Sequence, residues 1–169
     1  MATSRLYDGK ILSLRLDKVL LDNGVETTRA VVEHNGAAAI VPITDDGKVI
    51  LVRQYRYAVE RDLLEVPAGT IGRGETPEEC AARELEEETG YTSGGMKKIT
   101  EFFSAPGYST EKIHVFLARR LTRSKMHTDE DEQIRVETMP MAEALAKVRS
   151  GEISDGKSIC ALYRAAEVL

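Results

Sequence analysis

The stretch from Gly69 to Tyr91 reads GTIGRGETPEECAARELEEETGY, and it decides how the rest of the chain is interpreted. It predicts a helix over 76–89, because Thr76 can act as the N-cap and Glu79 completes a T-x-x-E capping box. A proline in the first turn favours the same start. Gly90 predicts the end of the helix, since glycine readily adopts the left-handed conformation that follows a last helical turn.

The predicted helix carries carboxylates at Glu84, Glu87 and Glu88. Residues three and four apart share one face of a helix, so these side chains converge. A hard divalent cation such as Mg²⁺ would remove their repulsion and could share its ligand shell with a substrate phosphate. Arg83 can pair with Glu87 or with Glu75. Taken alone, a glutamate-rich face is more typical of a helix that is simply solvated.

The residues before this stretch favour extended structure. Residues 10–21 alternate apolar and polar side chains with the period of a half-buried strand. A turn signal ending at Gly24 separates them from a second extended run over 27–34. The two runs predict a hairpin or meander, and we treat residues 1–36 as an N-terminal β-extension.

The remaining residues, 37–169, predict one domain that mixes strands and helices. The apolar runs AAAIVPIT and KVILVRQYRY indicate strands that are covered on both faces. Further strands are predicted over 63–66, 97–103, 113–120 and 133–138, and further helices over 140–150 and 155–169. This order predicts an α+β fold in which a mixed sheet lies between helices.

Composition limits the classes of function. The chain has 169 residues, of which 42% are hydrophobic and 30% charged, with a net charge of −5. The acidic balance argues against a nucleic-acid partner, and no apolar run is long enough to span a membrane. Only two cysteines are present, far apart, and the N-terminus shows no secretory signal. We therefore expect a cytoplasmic protein.

The full spacing of the stretch is more specific than its acidity. Gly69, Glu75, Arg83 and Gly90, together with the glutamates, match the pattern G-x5-E-x7-R-E-U-x-E-E-x-G-U, in which U is a bulky apolar residue. This pattern resembles the signature of the Nudix hydrolase family, and we call residues 69–91 the Nudix box. EHNGAAAIVPIT, VRQYRY, LLEVPAG, SAPGYSTEKIHVFLA and DEDEQI resemble the ADP-ribose pyrophosphatase subfamily along nearly the whole chain. The family fold implied is an α/β/α sandwich with a mixed β-sheet.

The resemblance implies a metal site that takes Mg²⁺, with Mn²⁺ as a possible substitute. Glu84 and Glu88 correspond to metal ligands, and the main-chain carbonyl of Ala68 completes the protein shell. Glu87 corresponds to a ligand or a near neighbour with a catalytic role. Clustered cations would neutralise the pyrophosphate and polarise the attacked phosphorus.

A second acidic run covers residues 129–132, just before QIRVETM. Four acids in a row are usually a solvated loop. In the resembled subfamily the corresponding loop carries a catalytic glutamate, which makes Glu130 the candidate general base and Glu132 a further metal ligand. The register within 129–132 stays open by one or two positions.

The resemblance also implies a substrate site and an assembly. Arg56 and Arg29 correspond to arginines that hold the pyrophosphate, for which a guanidinium is well suited. Gly107 and Glu111 correspond to a loop and a carboxylate that meet the terminal ribose. The resembled enzymes are homodimers that swap the N-terminal arm, which would carry Arg29 into the other subunit's site.

The expected function is magnesium-dependent hydrolysis of ADP-ribose to AMP and ribose 5-phosphate. The nearest alternative is a pyrophosphatase for other nucleoside diphosphate sugars, such as ADP-glucose or GDP-mannose. A remote alternative, from a different class, is a non-catalytic Nudix binding domain, although such domains usually lose box glutamates that this chain retains.

Overall fold

A three-stranded antiparallel sheet begins the fold, in a computed structural model that describes residues 2–125 and 133–169. Its strands are β1 (Thr3–Asp8), β2 (Leu12–Leu20) and β3 (Glu26–His34), paired in the order β1-β2-β3. The β2–β3 hairpin agrees with the sequence prediction. The strand β1 was not predicted, because its six residues alternate too irregularly to stand out from a polar N-terminus.

Two further sheets and three helices follow within the described residues. The elements are β4 (Ala37–Pro42), β5 (Lys48–Arg56), a 3-10 helix (Tyr57–Val59), β6 (Arg61–Glu65), β7 (Ala68–Thr70), α1 (Pro77–Thr89), β8 (Tyr91–Phe103), β9 (Lys112–Arg123), β10 (Ile134–Pro140), α2 (Met141–Ser150) and α3 (Gly156–Val168). One sheet has the order β10-β5-β6 and the other β7-β4-β9-β8. In the second, β4 and β9 are parallel and the other pairs antiparallel, which makes it mixed. The predicted α+β class is confirmed.

The four-stranded sheet is covered on both faces, as its apolar runs predict. Along β4, Ala38 and Ile40 pack with Leu85 of α1, whereas Ala39 and Val41 pack in the cluster that includes Leu162 of α3. Successive side chains of a strand point to opposite faces, so a strand covered on both must be apolar throughout. The order helix, sheet, helix thus follows directly from the composition of β4.

The helix α1 begins and ends where the sequence predicts. The side chain of Thr76 accepts a hydrogen bond from the backbone N–H of Glu79 at 3.2 Å, and the Thr76 N–H donates to Glu79 Oε2 at 2.8 Å. Gly90 ends the helix with φ of 71°, a conformation that costs glycine little. The capping box and the glycine stop hold the acidic face of α1 in a defined register.

Two strands differ from the prediction because tertiary pairing outweighs local propensity. β8 begins at Tyr91 rather than near residue 97, since its polar, glycine-containing first half pairs with the end of β9. β7, a three-residue strand, was not predicted; it forms because Ala68 and Thr70 pair with the edge of β4. In residues 2–125 and 133–169, no helix is long and apolar enough to cross a membrane.

Candidate active site

The short strand β7 lies between the acidic helix and an open cavity. On its helix side, the Ala68 N–H donates to Glu88 Oε2 at 3.0 Å. Glu84 lies so close to Gly69 that a Cβ built on this glycine would be 1.7 Å from Glu84 Oε1. Two carboxylates of α1 therefore flank adjacent residues of β7, and a glycine is needed for the close approach.

Arg83 ties together the acidic side chains of the Nudix box. Its Nε donates to Glu75 Oε1 at 2.8 Å, and its Nη1 donates to Glu84 Oε1 at 2.6 Å and to Glu87 Oε2 at 2.8 Å. These bonds raise the pKa of Arg83, and the bond from Arg83 lowers the pKa of Glu75. Arg83 thus pairs with both acids that the sequence offered it, and also with Glu84.

The box carboxylates suit a hard divalent cation in their chemistry. Glu84, Glu87 and Glu88 offer carboxylate oxygens at helical spacing on α1, with Glu88 bonded to the Ala68 N–H, and Mg²⁺ prefers such ligands. Among residues 2–125 and 133–169, no group of three or more Asp, Glu, His or Cys side chains is arranged so that it could bind a metal ion. Arg83 pairs with Glu84 and Glu87 instead. A cation would compete with this guanidinium for them.

A cavity of about 910 Å³ lies on the other side of β7. Its wall is partly aromatic, with Phe102, Phe103 and Tyr108, and its polar groups include Glu111. The Ser104 hydroxyl donates to Glu111 Oε2 at 2.5 Å, which fixes that carboxylate at the cavity wall. Apolar walls with a few placed polar groups are typical of small-molecule sites.

Arg56 stands in the cavity wall, held from behind by a buried glutamate. Arg56 Nε donates to Glu65 Oε1 at 2.9 Å, and Nη2 donates to Glu65 Oε2 at 2.7 Å. The Glu65 side chain is 1% exposed and that of Arg56 is 37% exposed. The hydrogen bond to Glu65 raises the pKa of Arg56, so the guanidinium stays charged at the cavity.

The structure brings only part of the expected site together. Arg29 donates within the N-terminal sheet, to Thr27 Oγ1 at 3.3 Å and Thr28 O at 2.9 Å, and does not line the cavity. Gly107 lies in the turn after Ala105, and it too is absent from the lining that the described residues form. The candidate base Glu130 and candidate ligand Glu132 lie outside the described residues.

Three residues near the cavity were missed by sequence reasoning: Glu65, Asp155 and Lys157. Lys157 and Asp155 line the cavity, and Glu65 joins Lys157 to Arg56. One signal was present for Glu65. It stands in LLEVP, where a charge inside an apolar strand indicates a paired buried group. No local signal distinguished Lys157, because its contact with Glu65 comes from a strand far away in sequence.

We expect Gly69→Ala to lower activity by about 10- to 100-fold while the protein stays folded, because the new methyl group displaces the Glu84 carboxylate. The displaced group ends a flexible side chain, so the backbone need not move. Steady-state kinetics and the unfolding temperature test this. Gly94→Ala is the control, since its Cβ would meet Arg120 Cβ at an ordinary 3.5 Å. Full activity of Gly69→Ala would contradict a role for Glu84.

The buried Glu65 should make stability depend on acid pH. Burial alone would raise its pKa, but the bonds and charges of Arg56 and Lys157 outweigh burial and lower the pKa below its ordinary 4.5. Because the pKa of Glu65 is lower in the folded than in the unfolded protein, ionised Glu65 stabilises the fold fully above its unfolded-state pKa. This stabilisation is lost as the pH falls through its folded-state pKa. Glu65→Gln should therefore cost about 3 kcal/mol at pH 7 and progressively less below pH 4. Urea unfolding of both proteins across this range measures the difference, and a cost that does not shrink would contradict the assignment.

Comparison with known proteins defines the class. A model of the NUDIX domain family matches residues 33–162, which contain β4 to β10, the box and most of α3. The chain belongs to this family, and with all its box glutamates present it is a Nudix hydrolase.

Relatives with named activities cover most of the chain. It is 43% identical over 164 residues to the ADP-ribose pyrophosphatase of Bacillus subtilis (strain 168), covering 96% of this chain and 89% of the relative. It is 36% identical over 162 residues to the methanol dehydrogenase activator of Bacillus methanolicus, covering 95% of this chain and 88% of that relative. It is 34% identical to the GDP-mannose pyrophosphatase of Citrobacter koseri (strain ATCC BAA-895 / CDC 4225-83 / SGSC4696), covering 89% of this chain and 93% of that relative. A crystal structure of an ADP compounds hydrolase matches 100% of this chain and 92% of that chain, with a TM-score of 0.88 and 25% identity.

Proposed function

We propose that this protein hydrolyses the pyrophosphate bond of ADP-ribose, with Mg²⁺ or alternatively Mn²⁺, to give AMP and ribose 5-phosphate. The observation that carries the proposal is the position of β7 between the carboxylates of α1 and the cavity that contains Arg56. A pyrophosphate beside Ala68 and Gly69 would have acidic metal ligands on one side and a guanidinium on the other. The relative named ADP-ribose pyrophosphatase supports the choice of substrate.

Each group has a chemical role in this proposal. Arg56 binds a phosphate oxygen, and Glu111 accepts hydrogen bonds from ribose hydroxyls at the aromatic wall. Glu84, Glu88 and the Ala68 carbonyl would hold the cation, with Glu87 beside them. A bound cation would supply charge neutralisation and would lower the pKa of a water molecule. Glu130 accepts the proton of the attacking water as its oxygen bonds to one phosphorus. The bond from that phosphorus to the bridging oxygen breaks, the bridging oxygen leaves with the other phosphoryl group, and AMP and ribose 5-phosphate are released.

The test is product identification with a panel of ADP-ribose, ADP-glucose and GDP-mannose in the presence of Mg²⁺. We expect the highest kcat/KM for ADP-ribose, with AMP and ribose 5-phosphate as products by chromatography. A higher value for GDP-mannose would replace the proposed substrate with the alternative that the Citrobacter relative favours. The absence of turnover with every member, in a folded protein, would leave the binding-domain alternative.

We also propose that residues 1–36 form a dimerisation arm on a catalytic domain of residues 37–169, in a cytoplasmic homodimer. The arm sheet joins the rest of the described chain mainly at its end, where the Val32 N–H donates to Tyr108 O at 2.8 Å. Leu6, Ile11 and Leu20 are 59%, 59% and 61% exposed, although a sheet of this size normally needs its apolar side chains covered. A second copy of the arm or domain would cover them. Both cysteines are free, which fits a reducing compartment.

Mixing two inactive variants tests whether the arm acts in trans. Arg29→Ala and Glu88→Gln dimers each have a defect in both sites, but a mixed dimer regains one intact site if Arg29 serves the partner's site. After complete exchange between equal amounts, half of the dimers are mixed and each mixed dimer has one intact site of two. We therefore expect activity with ADP-ribose to recover toward about a quarter of that of wild type. A monomer by sedimentation at micromolar concentration, or no recovery after proven exchange, would rule out the swapped arrangement.

A further inference from the structure

The start of helix α3 forms a charged cluster directly behind Arg56. Asp155 caps α3, with Oδ2 accepting from the Ser158 N–H at 2.9 Å and the Ser158 hydroxyl at 2.6 Å. The same oxygen accepts from Lys157 Nζ at 3.0 Å. The cap therefore fixes both the helix end and the lysine side chain, which is 15% exposed.

Lys157 and Arg56 share a single buried carboxylate. Lys157 Nζ donates to Glu65 Oε2, the oxygen that also accepts from Arg56 Nη2, while Oε1 accepts from Arg56 Nε. The Glu65 side chain is 1% exposed, so its charge depends on these two cations rather than on water. Two cations and two carboxylates, counting Asp155, give the cluster no net charge.

This pairing determines which side of the Arg56 guanidinium is available. Glu65 takes the Nε–Nη2 edge in a bidentate contact, the geometry in which a guanidinium is held most firmly. Nη1 lies outside this bidentate contact, and Arg56 is part of the cavity wall. An arginine held in this way meets a phosphate without losing the side-chain freedom that a mobile one would lose.

The helix start also holds the backbone that leads into β7. The Ser158 hydroxyl, whose residue is 0% exposed, accepts from the Val66 N–H at 2.9 Å. Val66 follows Glu65 and is separated by one residue from Ala68, whose N–H binds Glu88. One turn of α3 therefore contacts both the support of Arg56 and the segment beside the carboxylates.

We infer that Lys157 is a positioning residue for substrate binding, an inference that rests on the proposed role of Arg56 in holding the pyrophosphate. Lys157 compensates the buried charge of Glu65, and Glu65 in turn fixes Arg56. When a pyrophosphate engages Arg56, it competes with Glu65 for the guanidinium charge. Lys157 keeps Glu65 ionised and in place during that competition, so Arg56 binds the substrate without losing its contact with the buried carboxylate.

A double-mutant cycle between Lys157 and Arg56 tests the inference, with whichever nucleoside diphosphate sugar the wild-type enzyme cleaves best. We expect Lys157→Met to raise KM by about tenfold, with kcat changed by less than about twofold, as for coupled residues in one ion-pair network. In the Arg56→Ala background, Lys157→Met should change KM by less than about twofold, because the residue it positions is gone. Lys157→Arg should restore KM to within about threefold of wild type, since its charge is kept.

The matched control is Lys147→Met. Lys147 donates to Glu152 Oε2 at 2.8 Å in a similar ion pair, but it does not line the cavity, so KM should stay unchanged. If Lys157→Met does not fold, Lys157→Gln provides the same test, because its amide can donate to Glu65 without a charge. An undiminished rise in KM in the Arg56→Ala background would mean that Lys157 binds substrate directly.

Two other outcomes would also overturn the inference. A lower unfolding temperature with unchanged KM would mean that Lys157 only stabilises the fold. An unchanged KM and an unchanged unfolding temperature would mean that Lys157 has no influence on the site. Neither outcome bears on the proposed substrate, because the cycle is measured on the substrate that the panel identifies. Conversely, if the enzyme prefers a nucleoside diphosphate sugar other than ADP-ribose, the double-mutant cycle between Lys157 and Arg56 can still be interpreted.

Discussion

Replacing Glu88 by Gln is expected to lower kcat by about 10³-fold, the scale of losing one preorganised electrostatic group at the reacting phosphate. Glu88 is 4% exposed and accepts the Ala68 N–H at 3.0 Å. The amide oxygen of the substituted side chain can accept the same bond, so the fold should survive and the unfolding temperature without metal should hold. The change removes the ligand charge and leaves the packing in place.

Measurements of turnover at saturating Mg²⁺, and of Mg²⁺ binding by calorimetry, check this result. Glu86→Gln is the matched control on the same helix, because Glu86 accepts from Ser124 Oγ at 2.5 Å and is no part of the box pattern. Its activity should remain near that of wild type. Wild-type turnover in Glu88→Gln at saturating Mg²⁺ would contradict the assignment of Glu88 as a metal ligand.

Replacing Glu130 by Gln is expected to lower kcat by about 10²- to 10⁴-fold with little change in KM, as for the loss of a general base. The base acts on water in the transition state, so its removal should leave ground-state binding intact. Glu132→Gln is the paired variant. Because Glu132 is a candidate metal ligand, this substitution should weaken Mg²⁺ binding and also lower kcat.

The comparison of these two variants also decides the register of the acidic run. If Glu132→Gln lowers kcat alone while Glu130→Gln raises the Mg²⁺ requirement, the two roles are exchanged. If neither changes the rate, the run over 129–132 is the solvated loop that its composition also allows, and the base lies elsewhere.

The local parts of the site were predictable because they depend on spacing within one helix. The capping box at Thr76, the stop at Gly90 and the shared face of Glu84 and Glu88 follow from a period of 3.6 residues. The pairing of Arg83 with Glu87 follows from the same geometry, whereas Glu75 reaches Arg83 from the loop before the helix. The helix would carry these relationships in any tertiary context that keeps it folded.

The contacts around Arg56 could not be predicted in the same way. Glu65 lies nine positions from Arg56 on the neighbouring strand, but the two are not register partners, because Arg56 is opposite Arg61 and Glu65 is opposite Val52. Lys157 reaches Glu65 from 92 positions away. Strand register and helix docking bring these groups together, and both depend on the whole core rather than on a local pattern.

The sequence by itself determined the class of enzyme, the register of its acidic helix and the two-sided cover of β4, since each follows from a periodicity or a fixed spacing. Only the tertiary structure decided that β7 lies between the carboxylates of α1 and the cavity, and that Glu65 and Lys157 stand behind Arg56. It also showed that Arg29 turns to its own sheet instead of the cavity of its own chain. The physical reason is that a helix specifies its own neighbours through short-range bonds, whereas a site assembled from separate elements depends on packing free energy summed over the core.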